Sequence, residues 1–229
     1  MKRKPKAVEE AIDYLRRSPF QSIVFDVDDT LYQRSDPYIR AYNKCFQEQI
    51  RTGKGWPDGS ELFQASRVYV EEEYQRRIRG EIDMNEMLIR RTLRSFAAYE
   101  IHLTEDEALQ FEETYEKEQN SIQLIPQFQE FLETSGSSGR EVFLGILSNG
   151  PSAHQWNKIY ALGLTKWIPE AHIVISGDIG VSKPELEAYR IYERKCRIQP
   201  ENTIMVGDNL KADIEGAEAA GWNALWIKP

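Results

Sequence analysis

Five short apolar runs, each free of charge, constrain the fold of this chain more than anything else in it. They are Ile23-Val24-Phe25, Val142 to Leu147, Ile173-Val174-Ile175, Ile204-Met205-Val206 and Ala224 to Ile227. A half-buried strand alternates apolar and polar residues, whereas a continuous run suits a strand covered on both faces. Helical patterns lie between the runs, over about 126–134, 151–162, 184–196 and 211–220, with Gly163 placed to cap the second. A further helix over 7–17 carries Val8, Ile12 and Leu15 on one stripe, is closed by Ser18-Pro19, and is expected to pack on the core. Strands alternating with helices imply right-handed crossovers and parallel pairing. The expected fold is an open, doubly wound α/β domain built from residues 1–33 and 121–229.

The interval 34–120 breaks the alternation. No strand-like run interrupts it, and three helix starts carry capping-box spacing: Asp58 with Glu61, Asp83 with Glu86, and Thr104 with Glu107. Gly80 is placed to stop the helix that begins near Asp58. Apolar stripes run through Phe63, Val70, Tyr74 and Ile78, through Ile89, Leu93 and Phe96, and through Ala108, Phe111 and Tyr115. The block reads as a helical cap domain inserted after the first strand.

Composition narrows the function. The net charge of −8 argues against a nucleic-acid partner, and the basic start at Lys2-Arg3-Lys4 is short enough to be a solvated tail. No apolar run spans a bilayer, so a soluble cytoplasmic protein with no membrane partner is expected. Cys45 and Cys196 are far apart and read as two free thiols. The histidines, His102, His154 and His172, are scattered, so a hard cation on oxygen ligands fits better than a histidine-built site.

Ligands of open α/β sheets bind beyond the carboxyl ends of the strands. Four such ends carry unusual residues. The first gives Asp26 and Asp28, two carboxylates whose burial needs a compensating cation or lysine. The second gives Ser148-Asn149-Gly150. The third leads to Lys183-Pro184, and the fourth to Gly207-Asp208-Asn209 with Asp213 five residues on. Singly, each has a plain structural explanation as a turn, cap or solvated residue; together they fall on one edge of the sheet. The Gly/Ser stretch Ser135 to Gly139 precedes a strand, so it falls on the opposite edge and is expected to be a flexible connection without chemistry. Phosphoryl transfer suits these parts. A carboxylate nucleophile divides the reaction in two, cationic and N–H groups hold the phosphoryl oxygens, and a second carboxylate moves protons.

In order and context, Asp26-Val27-Asp28-Asp29-Thr30, Ser148-Asn149, Lys183, and Gly207-Asp208 with Asp213 resemble the four motifs of the haloacid dehalogenase superfamily, among its phosphatases with a helical cap after the first motif. The resemblance implies Asp26 as nucleophile, Asp28 as general acid and base, Ser148 and Asn149 as phosphate-binding residues, and Lys183 as the group that orients the nucleophile. It implies Mg²⁺ held by Asp26, the backbone carbonyl of Asp28 and Asp208, with Asp213 acting through water or on Lys183. Asp29 stands where the family motif often has Gly and is expected to face solvent. Dehalogenases of the superfamily keep the nucleophile but lack the second aspartate, since a halide leaves unprotonated, so Asp28 speaks against that chemistry.

The expected function is a Mg²⁺-dependent phosphatase of small phosphorylated metabolites, of the nucleotide or sugar-phosphate class, as monomer or homodimer. A phosphotransferase or mutase of the same superfamily and a non-catalytic binding protein on the same fold are the competing readings. Tyr32, Tyr38, Arg76, Arg77 and Arg79 are candidates to touch substrate. Packing explains the tyrosines as well, and ion pairs with Glu71-Glu72-Glu73 explain the arginines. His154, soon after the Ser148 loop, reads as a helix-surface residue.

Overall fold

The structure is a computed structural model and describes residues 4–53, 55–135 and 142–228, with the side chains of Glu71 and Ile78 outside that description. Lys2, Arg3 and the Gly/Ser stretch at 136–139 also lie outside the described residues. The chain divides into two compact units, residues 1–33 with 122–229, and residues 34–121.

In the first unit, β1 (Ser22–Phe25), β2 (Phe143–Ser148), β3 (Ile173–Ile175), β4 (Thr203–Gly207) and β5 (Asn223–Trp226) form one parallel sheet in the order β3-β2-β1-β4-β5. The register sets Phe25 opposite Ile146 on one side and Val206 on the other. Strand order therefore reverses at β1, and the carboxyl end of β1 is the switch point where such sheets place ligands. Residues 6 and 227 extend the pairing beyond β5 as an isolated parallel bridge.

Both faces of the sheet are covered, which is why its strands carry no polar alternation. On one face Phe25, Ile146 and Ile204 pack with Ala11, Ile12 and Leu15 of α1 (Val8–Arg17) and with Phe128 and Phe131 of α6 (Pro126–Ser135). The Phe25 ring meets Phe128 and Phe131 edge-on at 5.8 and 6.3 Å. Each such buried side chain contributes about 1.5–3 kcal/mol. On the other face Val24, Leu147, Val174 and Met205 pack with Tyr189 and Tyr192 of α9 (Leu186–Cys196) and with Trp222. α7 (Ser152–Ala161) follows β2 and is closed by Gly163 at φ +63°; a four-residue turn, α8 (Ser176–Ile179), follows β3.

The helix expected at 211–220 is not a regular α-helix. It opens as a π-helical segment, Leu210–Glu215, and only Gly216–Ala219 (α10) is α-helical. Asn209 caps this opening, its Oδ1 accepting from the N–H groups of Lys211 and Ala212, while its own N–H donates to Asp213 Oδ2. Wide turns of this kind recur at functional sites.

The second unit holds α2 (Ser35–Thr52), α3 (Gly59–Ile78), α4 (Met84–Ala97) and α5 (Glu105–Gln119). Complete capping boxes start α3 at Asp58 and α5 at Thr104, but at α4 only the Asp83 half is present. Gly80, just past α3, has φ +73°. Its core is aromatic: Tyr38, Tyr42 and Phe46 of α2 pack with Phe63, Phe96 and Phe111. Buried charges in this unit are paired, Glu112 with Arg91 at 2.7 Å and Glu73 with Arg94 at 2.7 Å.

Candidate active site

Asp26 follows the last residue of β1, and its N–H donates to the Val206 carbonyl, so the β-ladder itself holds its backbone. One of its oxygens accepts from Lys183 Nζ at 2.8 Å. The same ammonium donates to Asp213 Oδ1 at 2.6 Å, and Lys183 is only 4% exposed. Lys183 is brought here by a clasp between two loops. Asn149 Nδ2 donates to the Lys183 carbonyl at 2.8 Å, and Asn149 Oδ1 accepts the Lys183 N–H at 2.9 Å. The Lys183-Pro184 peptide bond is cis. The next residue in the first of these loops, Gly150, donates its N–H to Ser176 Oγ at 2.9 Å.

Asp208 lies just past β4, and its carbonyl accepts from Trp226 Nε1 at 2.8 Å. Asp26, Asp208 and Asp213 each offer a carboxylate oxygen such that all three lie within 4.8 Å of one another. Gly207 makes this possible, since a Cβ there would collide with the Asp213 carboxylate. Carboxylate oxygens at this spacing fit a hard divalent cation such as Mg²⁺.

Electrostatics follow from the crowding. The Asp26 carboxyl is raised to about 7, the balance of burial, which pushes it up, Lys183, which pulls it down, and Asp213 and Asp28, which push it up. Burial would lower the Lys183 ammonium, but Asp213 and Asp26 more than offset that and hold it above its ordinary value. The cluster thus carries more negative charge than one lysine balances.

Ser148 ends β2, two residues beyond Ile146 and so on the same edge as Asp26. Its Oγ is buried and has no hydrogen-bond partner among the described residues. Leaving a buried hydroxyl unpaired costs about 1–3 kcal/mol unless a ligand completes it. Asp29 adopts φ +54°, the left-handed region that glycine enters freely and that Asp tolerates better than most residues.

Two residues absent from the sequence-based expectations join the site. Asp28 is gripped from α7: Lys158 Nζ donates to both its oxygens at 2.7 and 2.8 Å, and Gln155 Nε2 donates to Oδ2 at 2.8 Å. Tyr32 adds its hydroxyl to Oδ1 at 2.5 Å. Their signal in the sequence is slight: a glutamine and a lysine three apart on the helix that follows Ser148-Asn149-Gly150, and so on one face of it.

Of the candidates for substrate contact, Tyr32 thus stands beside Asp28; the others are described within their own units. Tyr38 is buried in the aromatic core of the helical unit, against Phe63, Phe111 and Tyr115. Arg76 pairs with Glu73 and Glu81, and Arg79 with Glu81. Arg77 is half-buried on α3, and His154 sits on the exposed side of α7.

Known proteins resemble the chain over most of its length. A glyceraldehyde 3-phosphate phosphatase of Methanopyrus kandleri is 29% identical over 211 residues, covering 91% of this chain and 84% of that protein. A phosphoserine phosphatase of Thermus thermophilus is 30% identical over 122 residues, 53% of this chain, and the match spans only about half of that relative, 47% of its length. Among solved structures, the HAD-hydrolase YfnB of Bacillus subtilis shares the fold with a TM-score of 0.64 at 22% identity, over 91% of this chain and 89% of that one. An L-2-haloacid dehalogenase of Xanthobacter autotrophicus shares it with a TM-score of 0.63 at 18% identity, over 90% and 76%. Residues 20–221 match the family model of the haloacid dehalogenase-like hydrolases, and the chain belongs to that family.

Proposed function

We propose that the protein is a Mg²⁺-dependent phosphatase of small phosphorylated metabolites that works through an aspartyl-phosphate on Asp26. The observation that carries this reading is the meeting of Asp26, Asp208 and Asp213 around one point, with Lys183 bonded to two of them. A pure scaffold would have no reason to bear that repulsion. Relatives named as glyceraldehyde 3-phosphate, phosphoserine and pyrimidine 5′-nucleotide phosphatases support short phosphate monoesters as the substrate class.

Mg²⁺ would be held by Asp26, Asp208 and the Asp28 backbone carbonyl, with Asp213 reaching it through water; it supplies positive charge beside the phosphoryl oxygens. Lys183 opposes the burial that raises the Asp26 carboxyl, and aims it. In the first step an Asp26 oxygen bonds to phosphorus while the ester P–O bond breaks, and Asp28 gives its proton to the departing alkoxide. In the second step water attacks the same phosphorus, Asp28 takes the water proton, and Asp26 leaves as a carboxylate. The unpaired Ser148 hydroxyl and the donors near Asn149 hold the transferring group as its charge shifts. The cytoplasm, where Cys45 and Cys196 would stay reduced, is the compartment that fits.

The test is phosphate release from a panel of phosphorylated metabolites, with Mg²⁺ and with chelator. Release with Mg²⁺ only, lost by about 10³-fold or more in Asp26→Asn, is expected. Release that survives Asp26→Asn would overturn the mechanism, and no release from any ester would overturn the function.

A further inference from the structure

The partners of Asp28 go beyond what four strand-end motifs require. We propose that Lys158 and Gln155 of α7 are positioning residues that aim Asp28 at the leaving-group oxygen. The inference rests on Asp28 being the group that moves protons. Lys158 is 5% exposed, and its ammonium is spent on the two Asp28 oxygens. A lysine buried to that degree needs its charge answered, so the pair holds itself together. Gln155 has a second attachment. The same Nε2 that donates to Asp28 Oδ2 also donates to the Asn149 carbonyl at 3.0 Å. α7 begins at Ser152, directly after that loop, so one rigid helix sets both the loop that would hold the phosphoryl group and the carboxylate that would serve its leaving oxygen.

The need for such a device follows from chain geometry. Asp28 sits two residues past Asp26, in a segment beyond the β1 ladder. Tyr32, from the same segment, bonds one oxygen but is carried by the chain it would have to steady. Only donors on a separate element fix direction.

Lys158→Met keeps an apolar stem of four atoms in place of the lysine's and removes its charge. Values of kcat/KM report all steps through departure of the leaving group. For the best alkyl phosphate of the panel we expect kcat/KM to fall about 100-fold through kcat, with KM within about twofold. For p-nitrophenyl phosphate, whose leaving group departs without a proton, kcat/KM should fall less than about fivefold. Equal losses for the two esters would overturn the proposal, because general damage to the fold does not distinguish leaving groups. If Lys158→Met does not fold, Gln155→Leu carries the same comparison with the same two outcomes. A crystal structure of the metal-free variant gives a readout apart from activity: Asp28 turned away from its present position supports the proposal, and Asp28 unmoved overturns it. Should the wild-type protein hydrolyse neither ester, it is the phosphatase reading that has failed, and the crystal structure alone then decides the positioning role.

Discussion

Lys183 is the residue on which the acidic cluster depends. Its ammonium stands between Asp26 and Asp213, and both contacts are buried. Replacing it with Met leaves two buried carboxylates facing each other and a prospective cation site with no permanent positive charge. Breaking a buried pair from one side costs about 3–5 kcal/mol. Lys183→Met should therefore lower unfolding free energy by about that much in metal-free urea titrations, and cut phosphate release by about 10³-fold or more. A variant as stable and as active as the parent would show that Lys183 is not the counter-charge. Substituting Asn149 strikes the same lysine less directly, because it removes the clasp on the Lys183 backbone but leaves the ammonium in place.

The elements matter as carriers of these side chains. β4 ends in Gly207, and the turn after it brings the Asp213 carboxylate back over that glycine. Gly207→Ala would force Asp213 aside and pull its oxygen from Lys183. We expect activity to fall by about 10²-fold, with the variant still folded by circular dichroism; full activity would mean that Asp213 can move without consequence. The sheet was legible in the sequence because each strand is a charge-free run, and its candidate site because some of those runs are followed by a polar residue that a buried strand would not otherwise bear. Asp26 after Phe25 and Asp208 after Gly207 are of this kind. The grip of Lys158 and Gln155 on Asp28 was not legible, because a lysine within a helical pattern ordinarily faces water. The wide opening of the last helix was also hidden, since Leu210 to Ala219 has an ordinary helical pattern. Its geometry is imposed by Asn209 and by the Asp213 contact with Lys183, which are tertiary. Asp29 is a subtler case: its left-handed backbone explains why glycine suits that position in the family motif.

At the scale of the whole molecule, the site couples stability to pH and metal. Asp26 is raised from 3.8 to about 7, so the folded protein binds its proton more tightly than the unfolded chain does. That contribution is present below the unfolded value and is lost as pH climbs towards about 7. A divalent cation must displace this proton, so its apparent affinity rises over the same range. The gain in unfolding free energy from a fixed Mg²⁺ concentration should be larger at about pH 8 than at about pH 5.5, approaching about 2.7 kcal/mol at a hundredfold excess over Kd. Equal increments at the two pH values would mean that Asp26 is not a ligand. The clasped loop also bears on how the protein ages. Asn149-Gly150 is the dipeptide most open to spontaneous deamidation, in which the glycine nitrogen attacks the asparagine amide to close a succinimide ring. Here that nitrogen is committed to Ser176 Oγ and the amide is bonded at both ends to Lys183. Native protein stored at neutral pH should keep the amide by mass spectrometry, while urea-unfolded protein loses it, so chemical damage at this position would mark molecules that have already come apart.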